Sequence, residues 1–166
     1  KRQLQAIRIE QLLERDPIKL NQEQLDKQIM GKRVLVTGGA GSIGSEIVRQ
    51  LLNFSPSTII VCDQAETPLH ELELELKATN KNTKLIFFLG DVRNKARMME
   101  LFETFRPQIV YHAAAYKHVP MMELCPTEAV RNNVVGVKLI ADLSVKYNVD
   151  RFVMISTDKA VNPTNV

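Results

Sequence analysis

The residues able to do chemistry sit in a few short stretches, each at the end of an apolar run. The first is Gly38-Gly39-Ala40-Gly41-Ser42-Ile43-Gly44, which follows Arg33-Val34-Leu35-Val36-Thr37 and leads into Ser45-Glu46-Ile47-Val48-Arg49-Gln50-Leu51-Leu52. A strand, a glycine turn and a helix in that order suit a diphosphate. The anion must come close to the backbone and meet unpaired N–H groups at a helix N-terminus. Side chains in the turn would block that approach, and a tight turn can require φ > 0, where glycine costs least. Gly39, Gly41 and Gly44 fit Gly-x-Gly-x-x-Gly, while Gly38, Gly41 and Gly44 fit Gly-x-x-Gly-x-x-Gly. Both spacings point to a dinucleotide held on Gly38, Gly41, Ser42, Ile43 and Gly44. The alternative is an ordinary glycine-rich turn with no ligand.

Asp63 ends the second apolar run, about twenty residues beyond the turn, where an acid can accept both hydroxyls of an adenosine ribose and repel a 2′-phosphate. That favours NAD over NADP, and Gln64 beside it brings no cation for a phosphate. Asp63 could also simply cap the next helix. Asp91-Val92 follows the third run and could meet the adenine, with Asp91 accepting from its amino group; the alternative is a cap on the helix after it. His112-Ala113-Ala114-Ala115-Tyr116-Lys117-His118 ends the fourth run. Ala113, Ala114 and Ala115 would let the ribose and nicotinamide pass close to the backbone. Lys117 at the rim could hold an anionic substrate, or be a solvated loop lysine. His112 reads as a packed strand-end imidazole with no chemical role. Ser156-Thr157-Asp158-Lys159 ends the fifth run, with a hydroxyl, a carboxylate and an amine facing the nicotinamide, enough for acid–base work beside a hydride acceptor. A polar loop with an Asp–Lys surface pair is the plainer reading.

These stretches need elements to place them. Strands are predicted at 33–37, 58–62, 84–89, 108–112 and 151–156, and helices at 42–53, 66–78, 95–104 and 126–147. The strands are apolar throughout, as when helices cover both sheet faces. Alternating strands and helices predict an α/β fold, a doubly wound parallel sheet of order 3-2-1-4-5 with its ligand at the strands' C-terminal ends. In the last helix Pro126 suits the first position, and Val130, Val134, Val137, Ala141 and Ser144 form a small-residue face suited to the sheet. Residues 1–30 read as a helical arm or linker: Ile7–Leu13 ends near Asp16-Pro17, and Asn21 caps a short helix with Leu25 and Ile29 on one face.

The 166 residues suffice for one domain with a real core, and 45% hydrophobic with 25% charged residues is ordinary for a globular chain. A net charge of +3 without a Lys/Arg cluster gives no case for nucleic acid. Cys62 and Cys125 form no metal-ligand spacing, so no metal is expected, and Cys62 reads as a small buried hydrophobe. Apolar runs fall far short of the ~18 residues that cross a bilayer, and no signal peptide is visible. A cytoplasmic location with no membrane contact from this segment is expected.

Val36–Glu46, Asp91-Val92-Arg93, His112–Pro120 and Ser156–Pro163 together resemble the polysaccharide-biosynthesis branch of the extended short-chain dehydrogenases, whose members include UDP-N-acetylglucosamine 4,6-dehydratases. The resemblance covers residues 31–166, and the His112–Pro120 and Ser156–Pro163 stretches are far more specific than the glycine turn. It implies a Rossmann-like NAD-binding domain over 31–166 and a UDP-sugar substrate. The reaction would oxidise C4, eliminate water across C5 and C6, and return the hydride to C6. By position, Asp158 would protonate the leaving C6 hydroxyl, Lys159 would take the C5 proton, Thr157 would assist at C4, Lys117 would orient the substrate and Ser156 would line the cofactor site. A UDP-sugar 4-epimerase or reductase on the same scaffold, or a non-catalytic NAD-binding module, are the rival readings. The segment 7–17 is similar to the link between membrane and catalytic parts in long members, which implies the cytoplasmic part of an inner-membrane protein and a homo-oligomer at full length. The family's Tyr-x-x-x-Lys motif (often Met for Tyr in long members), the C-terminal strands and the substrate domain would follow Val166. The 166-residue segment alone is therefore expected to hold most of an NAD half-site without turnover.

Overall fold

Short apolar runs become the strands of a sheet whose three central strands are largely buried, while the two edge strands, against the expectation of cover on both faces throughout, leave Leu89 and Met154 exposed. A computed structural model describes residues 22–80 and 82–156. In chain order the elements are α1 (Gln22–Ile29), β1 (Arg33–Thr37), α2 (Ser42–Leu51), β2 (Thr58–Asp63), α3 (Glu66–Thr79), β3 (Lys84–Leu89), α4 (Lys95–Phe105), β4 (Ile109–His112), α5 (Val119–Leu124), α6 (Pro126–Val130), α7 (Val137–Lys146) and β5 (Arg151–Met154). A single 3-10 turn, Leu52–Phe54, closes α2, and a π-helical turn, Arg131–Gly136, joins α6 to α7 without a break.

All five strands run parallel in the order β3-β2-β1-β4-β5, as the alternation predicts. Val34 faces Ile59 on one side and Ile109 on the other. Because side chains alternate across a strand, each strand feeds two cores. Val34, Val36, Ile59 and Val61 pack against Val48 and Leu51 of α2 and Leu69, Leu72 and Leu76 of α3. Leu35, Ile60 and Val110 pack against Met98, Leu101 and Phe102 of α4 and Ile140 and Leu143 of α7. Ile29 joins the first core, with Leu25 against it, so α1 docks on the domain through the predicted pair; its expected cap, Asn21, lies outside the described residues, as does 7–17. The chain leaves β1 on one side and returns after β3 to the other, which puts the change of direction between the ends of β1 and β4.

One expectation about packing is corrected. The last helix buries Ala129, Asn132, Gly136, Ile140, Leu143 and Ser144, while Val130 and Val134 are half exposed. Ile140 and Leu143 carry more apolar surface to the sheet than Val137 and Ala141 would. Gly136 lets the backbone approach Val92: a Cβ there would lie 3.0 Å from the Val92 Cγ2. An offset of one residue turns a helix by about 100° and carries Val130 and Val134 to the outside. The helix α5 was not foreseen; Pro120 opens its first turn behind an extended His118. Among the described residues no helix is long and apolar enough to cross a membrane.

Candidate functional site: a glycine-floored cleft at the strand ends

The end of β1 turns sharply at Gly38, whose φ of +65° lies in the left-handed region. A Cβ on Gly38 would also strike the Ala113 carbonyl carbon at 2.6 Å. Gly39 is packed on Val61 and Gly44 on the Gly38 carbonyl, where added Cβ atoms would come to 2.5 and 2.0 Å. Gly41 differs. Its Cβ would meet only the Gly38 oxygen, at 3.3 Å. Three glycines are thus required by the fold itself, and Gly41 is the one whose bare Cα keeps the cleft open. Gly41 is also the N-cap of α2 and offers no capping side chain. The first-turn amides of Ser42, Ile43 and Gly44 precede any intrahelical acceptor. This cradle fits a diphosphate: backbone donors, the positive end of a ten-residue helix and no side chain in the way.

Asp63 closes β2 and works in two directions. One carboxylate oxygen accepts the Ala40 N–H at 2.9 Å, and the other accepts the Ala65 N–H at 2.9 Å, at the N-cap of α3. The bond to Ala65 is a local turn two residues on and not a cap on the first-turn amides of α3, which have no side-chain cap, so Asp63 shapes the turn into the helix while it lines the cleft. Beside it, Gln64 donates from Nε2 to the Tyr116 hydroxyl at 3.2 Å, across the cleft from β2 to the β4 loop. Beneath, Cys62 is fully buried, and burial pushes its thiol up to about 12. It is an inert wall, as expected for a small hydrophobe.

Asp91 lies beside the cleft rather than in its lining, with both oxygens on Arg93. The backbone N–H of Arg93 donates to one at 2.8 Å, and Nη2 to the other at 2.7 Å. The guanidinium holds the Asp91 carboxyl below the usual carboxylate range, and its own pKa rises in return. Arg93 Nη1 also donates to Glu128 on α6, so one cation joins the β3 loop to the last long helix. The cap on α4 is Asn94, whose side chain accepts from the Arg97 N–H at 3.1 Å. Gly90 and Val92, flanking Asp91, reach the cleft.

The β4 end supplies the facing wall. His112 is buried, with Nδ1 on the Thr37 hydroxyl at 2.7 Å and its ring stacked on Phe152 at 6.2 Å. Its Nε2 is buried without a partner, and burial alone pushes its pKa down to about 4. It is a neutral packed imidazole, as the sequence suggests. Ala113, Ala114 and Ala115 then pass the cleft, and Tyr116 is gripped by Asn133. The Tyr116 N–H donates to Oδ1 at 2.9 Å, and the Tyr116 carbonyl accepts from Nδ2 at 2.8 Å. Asn132, buried next to it, lines the cleft and donates from Nδ2 to the same Asn133 oxygen at 3.0 Å.

The result is a cleft of about 140 Å³. It gathers Gly38, Gly41, Asp63 and Gln64 from the first half of the chain. Val92, Ala113, Ala114 and Ala115 come from the second. Ser42, Ile43 and Gly44 stand at the adjoining helix start. Lys117 and Ser156 are exposed and outside the lining, while Thr157, Asp158 and Lys159 lie outside the described residues. Sequence reading missed Tyr116, Asn132 and Asn133. Two adjacent asparagines inside a long helix, where Asn is a poor former, are the signal that was there to use. Among the described residues no group of three His, Cys, Asp or Glu side chains is placed to hold a metal.

Residues 34–166 match the family described as polysaccharide biosynthesis protein. The chain is 46% identical over 164 residues to the capsular polysaccharide biosynthesis protein CapD of Staphylococcus aureus, covering 98% of this chain and 27% of the relative. It is 35% identical over 137 residues to a UDP-N-acetylglucosamine 4,6-dehydratase (inverting) of Campylobacter jejuni, covering 82% of this chain and 39% of that one. The UDP-glucose 4-epimerase of Bifidobacterium longum, solved in complex with NAD+ and UDP, superposes with a TM-score of 0.68 at 28% identity, over 78% of this chain and 38% of its own. The chain thus spans between about a quarter and two-fifths of the length of these relatives. A five-stranded 3-2-1-4-5 sheet, a glycine cradle at its switch point and a family match over four-fifths of the residues place this chain in the polysaccharide biosynthesis protein family, the N-terminal part of an extended short-chain dehydrogenase catalytic domain.

Proposed function

We propose that the cleft binds NAD and that the chain is the cofactor-binding part of a nucleotide-sugar 4,6-dehydratase. The substrate would resemble UDP-N-acetylglucosamine, and the product would feed capsule, O-antigen or related glycan synthesis. The observation that carries this reading is the cradle. A Cβ on Gly41 would meet only the Gly38 oxygen, at 3.3 Å, Gly41 lines the cleft, and Asp63 stands beside the turn with its carboxylate on the Ala40 N–H. A carboxylate at that place receives ribose hydroxyls and repels a 2′-phosphate, so NAD is preferred to NADP. The NAD-bound epimerase and the Campylobacter dehydratase support the same reading.

When bound, the nicotinamide supplies a hydride acceptor that is regenerated within the turnover. The chain's own residues do the rest. The first-turn amides of α2 hold the diphosphate, and Ala113–Ala115 leave room for ribose and ring. By the resemblance, Asp158 gives a proton to the departing C6 hydroxyl, Lys159 takes the C5 proton, Thr157 assists at the C4 hydroxyl and Lys117 orients the sugar nucleotide. A base lysine must be deprotonated, which requires burial or a neighbouring cation. In the same reading the full-length protein is a homo-oligomer, and this domain lies on the cytoplasmic side of an inner membrane.

The test is product analysis with full-length protein and UDP-N-acetylglucosamine. Loss of one water with a new C6 methyl supports the proposal. A C4 epimer with its C6 hydroxyl intact assigns an epimerase instead. Failure to bind NAD or NADH by calorimetry, with no turnover, overturns both.

A further inference from the structure

One cross-cleft bond, Gln64 Nε2 to the Tyr116 hydroxyl at 3.2 Å, spans the cleft into which the cradle opens. Gln64 extends from the end of β2 and Tyr116 from the loop after β4, so the bond joins the two walls above the glycine floor.

Tyr116 is not a loose surface ring. Its N–H and carbonyl are both tied to the Asn133 carboxamide, at 2.9 and 2.8 Å. Asn133 lies in the π-helical turn, an irregularity frequent at functional sites. Asn132 steadies the Asn133 oxygen from the next position. The Arg93 guanidinium stands 6.0 Å from the ring centroid and is itself fixed on Asp91 and Glu128. The backbone of Tyr116 is therefore anchored, and only its ring and the exposed Gln64 side chain are free to move.

We propose that Gln64 and Tyr116 form a clasp across the mouth of the cleft that must part for the dinucleotide to enter or leave. The inference rests on the NAD reading and adds a rate-setting role to Tyr116. A rotation of either side chain opens the gap without disturbing β2 or β4. With Tyr116 held from behind by Asn133, the hydroxyl returns to the same place and the clasp recloses over the bound cofactor. Slow exchange of that kind suits a cofactor regenerated in every turnover.

Stopped-flow fluorescence of NADH binding and release in the full-length protein tests this. Tyr116→Phe removes the hydroxyl and keeps the ring; Gln64→Ala removes the partner. Each is expected to speed both association and dissociation about two- to tenfold, the factor one neutral side-chain hydrogen bond supplies. The double variant is expected to be no faster than either single one, because both remove the same bond. Unchanged rates in both variants, with NADH still bound by the wild type, overturn the clasp and leave the cofactor site standing. A wild type that binds no nicotinamide dinucleotide overturns the site and the clasp together. Circular dichroism of each variant separates a rate effect from a folding defect.

Discussion

The carboxylate of Asp63 accepts the Ala40 N–H at 2.9 Å, so the residue that ends β2 also sets the shape of the turn that follows β1. The same carboxylate accepts the Ala65 N–H at 2.9 Å and fixes the turn that leads into α3. Removing it leaves two amides without their acceptor. Asp63→Ala is expected to lower stability by about 1–3 kcal/mol, the range for leaving a hydrogen-bonding group without its partner. Asp63→Asn keeps an acceptor and loses the charge. It is expected to fold with a smaller loss and to narrow the preference for NAD over NADP, since the repulsion of a 2′-phosphate is gone. Urea unfolding of both variants and calorimetry with the two dinucleotides check the two effects separately. An unchanged dinucleotide preference in Asp63→Asn refutes the ribose assignment.

The glycines of the turn separate into those the fold needs and the one the ligand needs. Gly44→Ala would put a methyl 2.0 Å from the Gly38 oxygen, and Gly38→Ala adds a left-handed φ of +65° to a 2.6 Å contact with backbone. Both are expected to unfold the domain or lower its melting temperature by many degrees. Gly41→Ala meets one oxygen at 3.3 Å, which a shift of a few tenths of an ångström relieves. It is expected to keep the wild-type melting temperature within a few degrees and to bind NADH at least tenfold more weakly, as its methyl stands in the diphosphate's place. Equal NADH affinity in Gly41→Ala and wild type contradicts the cradle.

Much of this arrangement is legible in the amino acids, and the exceptions share a cause. The continuous apolar runs of β1, β2 and β4 pointed to burial on both faces and so to a parallel sheet, while the strand order and the place of the cleft followed from the dinucleotide fold that the glycine turn indicates. Asp63 and Ala113–Ala115 were legible because strand ends deliver side chains to one rim. Tyr116 and Asn133 were not, because they meet only through a π-helical turn, seventeen positions apart in sequence, that no 3.6-residue period marks. Val130 and Val134 misled for a related reason. Both are apolar, but Ile140 and Leu143 further along claimed the sheet and set the helix rotation for the whole segment.

Arg93 stands between two carboxylates, Asp91 at 2.7 Å and Glu128. Arg93→Ala would leave them facing each other, and about 1 kcal/mol of stability is expected to go with it, since the cluster is partly screened by solvent. The pH profile gives the sharper reading. Asp91 is held below its ordinary 3.8 by the guanidinium, so its contribution is full above that value and is lost as pH falls below it. In Arg93→Ala that part of the acid loss disappears. Urea midpoints of wild type and variant are expected to differ at pH 6 and to draw together as pH falls below 3.8. A constant gap across that range excludes the ion pair as the source.

His112 gives a second pH signature with the opposite residue type. Buried against Phe152 with Nε2 unpartnered, it is pushed down to about 4 from 6.5. Above pH 6.5 the imidazole is neutral in both folded and unfolded chains and stability does not depend on it. Between pH 6.5 and 4 only the unfolded chain takes up the proton, so stability falls with pH at about 1.4 kcal/mol per unit, about 2 kcal/mol by pH 5. Below pH 4 both states are charged and the slope vanishes. His112→Phe keeps a ring against Phe152 and has no proton to gain. Whatever it does to stability at pH 7, where the Thr37 hydroxyl loses its 2.7 Å partner, its unfolding free energy is expected to stay level from pH 7 to 5 relative to the wild type. Parallel pH profiles for the two proteins over that window would mean that His112 titrates as freely in the folded chain as in the unfolded one.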